Sequence, residues 1–124
     1  MKKIVILEDN KTMTLVLRSV IRKCGFEAVN FEDIETMLNN IEEIDNASLF
    51  ICDFDLPDGN SLVVLQKMKD NNINTPVALN SGNSGAIDTI VARGLGGLIK
   101  HNLNKEFDLK TLTNLLGQYD DKNN

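Results

Sequence analysis

The chain has 124 residues, 42 % of them apolar and 25 % charged, the composition of one compact globular domain and not of a disordered chain. Thirteen basic residues against eighteen acidic ones leave a net charge of −5, which lacks the basic footprint that direct nucleic-acid binding requires. The apolar runs are only a few residues long, too short to span a membrane, and Glu8-Asp9 interrupts the first of them too early for a signal peptide.

Two cysteines, Cys24 and Cys52, lie in apolar context and read as free buried thiols in a reducing cytoplasm, not as a disulfide scaffold. The lone histidine, His101, excludes a histidine-rich metal site and reads as a surface residue. Residues 120–124 read as a polar tail, which leaves 1–119 as the domain.

In chain order, residues 3–7 are an apolar run ending in acids, the pattern of a buried strand. Met13, Leu17, Val20, Ile21 and Cys24 then recur at helical spacing, and Gly25 stops that helix. Residues 26–29 are a second strand. Residues 31–41 are a second helix, with Ile34, Met37, Leu38 and Ile41 on one face. Residues 48–52 are again a continuous apolar strand, ending at Asp53. Asp55-Leu56-Pro57-Asp58-Gly59-Asn60 is turn chemistry. A third helix over 62–69 ends at Asn71-Asn72 and leads to a fourth strand over 76–79. A polar loop over 80–85 has poor helix chemistry, so the helix after it, over 87–92, is expected to be short. Leu98-Ile99 begin a fifth strand, and Asp108 caps a last helix carrying Leu109, Leu112, Leu115 and Leu116.

Strict alternation of strand and helix, with continuous apolar strands, predicts a parallel sheet covered on both faces. Right-handed crossovers make it a doubly wound α/β layer. Its working site then lies beyond the carboxyl ends of the strands. Those ends carry Glu8-Asp9, Asp53, Asn80-Ser81 and, nearest the fifth strand, Lys100. Crowded carboxylates repel one another, and a hard cation such as Mg²⁺ compensates them most simply. A hydroxyl and an ammonium beside them suit a phosphoryl group. A nucleotide cradle is excluded, because Glu8-Asp9-Asn10-Lys11-Thr12 holds no glycine.

Three pieces of this chain carry a family resemblance: Ile4-Val5-Ile6-Leu7-Glu8-Asp9, then Leu49 through Asp53-Phe54-Asp55-Leu56-Pro57-Asp58-Gly59, then Pro76-Val77-Ala78-Leu79-Asn80-Ser81-Gly82. Over nearly its whole length the chain resembles the receiver domain of a two-component response regulator. The resemblance implies a flavodoxin-like sheet of five parallel strands in the order 2-1-3-4-5. It implies phosphorylation of Asp53, a carboxylate nucleophile, by a partner histidine kinase or histidine phosphotransfer protein. Asp9, Asp53 and the backbone carbonyl of Asp55 would bind Mg²⁺ directly, and Glu8 through water. Ser81 matches the hydroxyl that bonds a phosphoryl oxygen, and Gly82 leaves room beside it. The implied role is signalling in a phosphorelay, in the cytoplasm, with self-modification in place of metabolite turnover. A downstream output protein or a fused domain would receive the signal.

The family also has a lysine after strand five, usually followed by proline. Three frames compete for it in this chain. Counting from Gly94 gives His101, the start of the last helix at Phe107-Asp108 gives Lys105, and the end of the apolar pair gives Lys100. Lys100 is taken here because it ends the strand. An aromatic switch residue usually precedes that lysine, and in this frame Gly97 or Leu98 stands in its place. This irregularity motivates an alternative, a pseudo-receiver that signals by docking without phosphorylation. Asp53-Phe54-Asp55 also resembles the Asp-x-Asp of haloacid-dehalogenase-like phosphohydrolases, but it follows the third strand and not the first.

Overall fold

The computed structural model describes residues 2–120; of the tail expected over 120–124, residues 121–124 lie outside the described residues. Five strands form one parallel sheet: β1 (Lys3–Leu7), β2 (Glu27–Phe31), β3 (Leu49–Cys52), β6 (Val77–Leu79) and β7 (Ile99–Asn102), in the order β2-β1-β3-β6-β7. With the two-stranded turn β4 (Asp55–Leu56) and β5 (Gly59–Asn60) set aside, this is the expected 2-1-3-4-5 order.

Apart from Lys3 at the start of β1, the three central strands are apolar because both of their faces are covered. Val5, Leu7, Phe50, Cys52, Val77 and Leu79 pack on one side, with α2 (Ile34–Asn39), α3 (Ile41–Asp45), α4 (Leu62–Asp70) and α5 (Ala86–Ala92). Ile4, Ile6, Leu49, Ile51 and Ala78 pack on the other, with α1 (Lys11–Lys23) and α6 (Leu109–Gly117). The alternation is the period of two expected of a strand. Each fully buried aliphatic side chain contributes roughly 1.5–3 kcal/mol, so the sheet is the rigid base of everything at its edge.

Local chemistry sets the helix starts. The Asn10 side chain accepts from the Met13 amide at 2.9 Å and caps α1. Asp108 accepts from the Thr111 amide at 2.7 Å and caps α6. Leu109 shares the face of Leu112 and Leu116 but is exposed, because it stands at the first helical position, at the end of that stripe. The second helix begins later than the expected 31–41 and breaks at Asn40 into α2 and α3, and β2 extends to Phe31. Asp33 caps α2 locally, its carboxylate accepting from the Thr36 amide at 2.7 Å, and a tertiary contact adds to it. The β4–β5 turn delivers Asp58, whose carboxylate accepts from the amides of Ile34 at 2.8 Å and Glu35 at 3.0 Å.

The edge strand β7 differs most from expectation. Its register slips against β6: Ile99 faces Val77, but His101 faces Ala78. Lys100 is therefore the extra residue of a β-bulge, exposed and unpaired in the ladder. The strand runs on through Asn102, so its carboxyl end lies beyond Lys100. His101 is not a surface residue: it is half-buried, with Nε2 2.6 Å from the Tyr119 hydroxyl. Among the described residues no helix is long and apolar enough to cross a membrane.

Asp58 yields a pH test. The Ile34 and Glu35 amides hold its carboxyl below the usual value, so its contribution is complete above the ordinary aspartate pKa of about 3.9 and is lost as pH falls through the lowered folded value. Asp58→Ala is expected to lower the denaturant midpoint at neutral pH, with the two proteins converging in acid. A gap that stays constant with pH would show that the carboxylate is not the source.

Candidate functional site

The register of the central strands assembles the site. Leu7 lies beside Cys52, and Cys52 beside Leu79, so the residues that follow each strand emerge together. One carboxylate oxygen from each of Glu8, Asp9 and Asp53 lies within 4.8 Å of the others. Glu8 and Asp53 are 1 % and 4 % exposed, whereas Asp9 faces solvent. The backbone fixes the two buried acids. The Asp53 amide donates to the Leu7 carbonyl at 3.0 Å, and Asp53 Oδ1 accepts from the Phe54 amide at 2.7 Å. Glu8 Oε2 accepts from the Asn10 amide at 3.0 Å, whereas Glu8 Oε1 is buried with no hydrogen-bond partner.

The lysine at this cluster is Lys105 and not Lys100. Its ammonium donates to Asp53 Oδ2 at 2.9 Å and lies 3.4 Å from Glu8 Oε1 and 3.5 Å from Glu8 Oε2. Lys100 and His101 instead line a groove with Ile87, Ile90, Val91 and Ile99. The bulge explains the difference, since it carries Lys100 out of the ladder and lets the chain run past Asn102 before it turns to the site. The signal was present in the frame that counts back from Phe107-Asp108. With Lys105 in that place, the residues before it are Asn102, Leu103 and Asn104. The aromatic switch is absent in this frame too, while Gly97 and Leu98 belong to a 3₁₀ turn ahead of β7. Glu106, not proline, follows Lys105.

Lys105 and Asn104 both adopt left-handed backbone, with φ of 59° and 58°. This region is unfavourable for a lysine by about 1–2 kcal/mol. Such strain persists only where surrounding contacts over-determine it.

Burial raises the Glu8 pKa, and the charge of Asp53 adds to that, against the lowering effects of the Asn10 amide and of Lys105. Burial alone would depress the Lys105 ammonium, but its bond to Asp53 and the charges of Glu8 and Asp53 prevail and raise it. Cys52, directly before Asp53, is fully buried, and desolvation pushes its thiol up to about 12. It is therefore a neutral core residue, not a nucleophile.

Ser81 is buried at the same edge, where its hydroxyl oxygen accepts from the Asn83 amide at 3.1 Å. Asn83, a residue the sequence did not single out, reaches across the mouth of the site: its Nδ2 donates to Asp55 Oδ2 at 3.1 Å. Asp55 thus stands at the rim, outside the group of Glu8, Asp9 and Asp53. Asn80, noted only as the end of the fourth strand, turns its side chain to the lysine loop, where Oδ1 accepts from the Lys105 amide at 3.0 Å.

Residues 4–117 match the family described as response regulator receiver domain. Among solved structures, the chain is similar to the receiver domain of the Francisella response regulator 1452 (TM-score 0.78, 20 % identity, 96 % of each chain covered). It is likewise similar to the non-phosphorylated HemR receiver domain from Leptospira biflexa (TM-score 0.79, 19 % identity, 96 % of this chain and 94 % of that one). The chemotaxis protein CheV1 of Helicobacter pylori is 22 % identical over 98 residues, which are 74 % of this chain. The match spans only 30 % of that protein's length.

The burial of Glu8, to which the Asp53 charge adds, has a measurable cost. A carboxyl whose folded pKa is raised contributes stability below its unfolded value and loses it as pH rises through the folded value. Glu8→Gln is therefore expected to stabilise the protein in metal-free neutral buffer, and the gain should vanish in acid, where Glu8 is protonated. Thermal unfolding across pH measures this, and a destabilised variant at neutral pH would refute it.

Proposed function

This chain belongs to the response regulator receiver domain family, and we propose that it is a working phosphoacceptor, phosphorylated on Asp53 by a histidine kinase or histidine phosphotransfer protein. The observation that carries this reading is the Lys105 ammonium 2.9 Å from Asp53 Oδ2, beside a second buried acid. Without such a cation, a carboxylate at 4 % exposure would be poorly placed to accept a phosphoryl group that brings further negative charge. The docking-only alternative drew its motive from the irregular strand-five region; Lys105 beside Asp53 answers the part of it that concerned the lysine, whereas the aromatic and the proline are missing in this frame as well.

In the transfer, a carboxylate oxygen of Asp53 attacks the phosphorus of the partner's phosphohistidine. An O–P bond forms and the P–N bond breaks. The departing imidazole nitrogen keeps the electron pair and takes up a proton. Lys105 donates to one oxygen of the transferred group and Ser81 to another, so the negative charge gathered on them meets fixed donors. Later attack of water on the phosphorus restores the carboxylate and releases inorganic phosphate.

The donor set fits Mg²⁺. Three carboxylates against one ammonium leave two negative charges when all are ionised, and Glu8 Oε1 is buried with no hydrogen bond. Asp9, Asp53 and the carbonyl of Asp55 would hold the ion directly, with Glu8 acting through water. When bound, Mg²⁺ neutralises the acids and polarises phosphoryl oxygens. Free Cys24 and Cys52 accord with a cytoplasmic location, where the phosphohistidine donors would be found.

The test is intact-protein mass after incubation with acetyl phosphate and Mg²⁺. One phosphoryl adduct is expected, absent in Asp53→Asn and in chelator. Lys105→Ala is expected to slow its formation about 100-fold, while Lys100→Ala stays within twofold of the parent. No adduct on the folded parent protein would overturn the proposal in favour of docking. Equal loss in the two lysine variants would overturn the assignment of Lys105.

A further inference from the structure

We propose that Asn80 is a positioning residue for Lys105: its carboxamide, anchored beside the phosphoacceptor strand, holds the backbone turn that aims the ammonium at Asp53. The proposal deepens the phosphoacceptor reading and rests on it for its kinetic consequence.

Lys105 does not extend from a strand. It stands three residues past Asn102, in a turn where both it and Asn104 are left-handed, so strand pairing does not place it. Two hydrogen bonds tie this turn to the end of β6. The Leu103 amide donates to the Leu79 carbonyl at 2.8 Å, and the Lys105 amide donates to Asn80 Oδ1 at 3.0 Å. Only the second acts on the lysine's own backbone.

The other side of Asn80 faces the acceptor. Its backbone amide donates to the carbonyl of Cys52, the residue before Asp53, at 2.9 Å. One residue thus joins the strand that presents the carboxylate to the loop that presents the ammonium. Because an amide N–H can only donate, the carboxamide oxygen and not its nitrogen must face Lys105.

Asn80 is 1 % exposed and continues the apolar run Val77-Ala78-Leu79, where an aliphatic residue would be expected. Its Nδ2 is buried with no partner. A buried amide with an unpaired donor carries a penalty that an aliphatic residue would avoid. The bond to Lys105 is the feature that an aliphatic residue could not supply.

Asn80→Leu removes the acceptor at nearly constant size, and Asn80→Ala serves where leucine is not accommodated. With saturating acetyl phosphate and Mg²⁺, either is expected to slow phosphorylation of Asp53 about tenfold. In a Lys105→Ala background the same change is expected to have less than a twofold effect, because the ammonium it positions is gone. A purely structural role would slow both backgrounds alike, and that result, or an unchanged rate in the parent, overturns the proposal.

A second arm needs no phosphorylation. Amide hydrogen exchange read by NMR is expected to be slow at Lys105 in the parent and at least tenfold faster in the variant, with Leu103 unchanged. Fast exchange at Lys105 in the parent, or no change in the variant, overturns the clamp. If the parent takes no phosphoryl group yet shows this exchange pattern, the phosphoacceptor reading falls and the positioning of Lys105 stands.

Discussion

The site depends on holding like charges together. Glu8, Asp9 and Asp53 would separate if their backbones were free, since carboxylates this close repel strongly in a partly dry environment. What holds them is the parallel register of β1 against β3: Glu8 and Asp53 directly follow strands buried on both faces, and Asp9 comes next after Glu8. Hydrophobic burial in the sheet, summed over many side chains, far exceeds the local repulsion. The repulsion among the acids is therefore borne by a rigid element. This also explains why the acids sit at the carboxyl edge: there the chain leaves the ladder, so a polar side chain can face solvent and ligand while its backbone remains paired.

Sequence reading was most successful where the fold is most uniform. Central parallel strands must be apolar on both faces, so residues 4–7 and 49–52 stand out from composition alone, and the acids that end them mark the site. The same rule misplaced the lysine. β7 is an edge strand with alternating half-buried and exposed residues, so Lys100-His101-Asn102 do not read as strand at all. Taking the end of the apolar pair as the end of the strand chose a bulge residue. A bulge is a tertiary accommodation between two neighbouring strands, and nothing in Ile99-Lys100-His101 announces one. The cap of α6 is local chemistry in Asp108 and Thr111, which is why counting back from it reached Lys105.

The second helix shows the same division. Its apolar face was visible and its cap, Asp33, is local, but Asp58, 24 residues beyond Ile34, adds acceptors for the Ile34 and Glu35 amides. Asp58 looked like a turn acid, and it is one. The turn happens to lie where two helix-start amides need an acceptor. His101 was read as solvated because no neighbour in sequence could bury it, whereas Tyr119 approaches from 18 residues away. In each case the missing information was the identity of a spatial neighbour.

The lysine loop joins these strands of argument. Its left-handed Asn104 and Lys105 are unfavourable in isolation, and glycine there would relieve the strain while leaving the loop free to wander. The native residues accept the strain, and two sets of contacts oppose it. Asn80 and Leu79 hold the backbone, while Asp53 and Glu8 hold the ammonium. A charge-assisted hydrogen bond contributes roughly 1.5–3 kcal/mol, comparable with the strain at a left-handed lysine of about 1–2 kcal/mol. The charge state of the acids and the conformation of residues 103–106 are consequently parts of one equilibrium. Whatever neutralises Asp53 also weakens the tether on this loop, and the backbone bonds from β6 then determine how far the lysine can move.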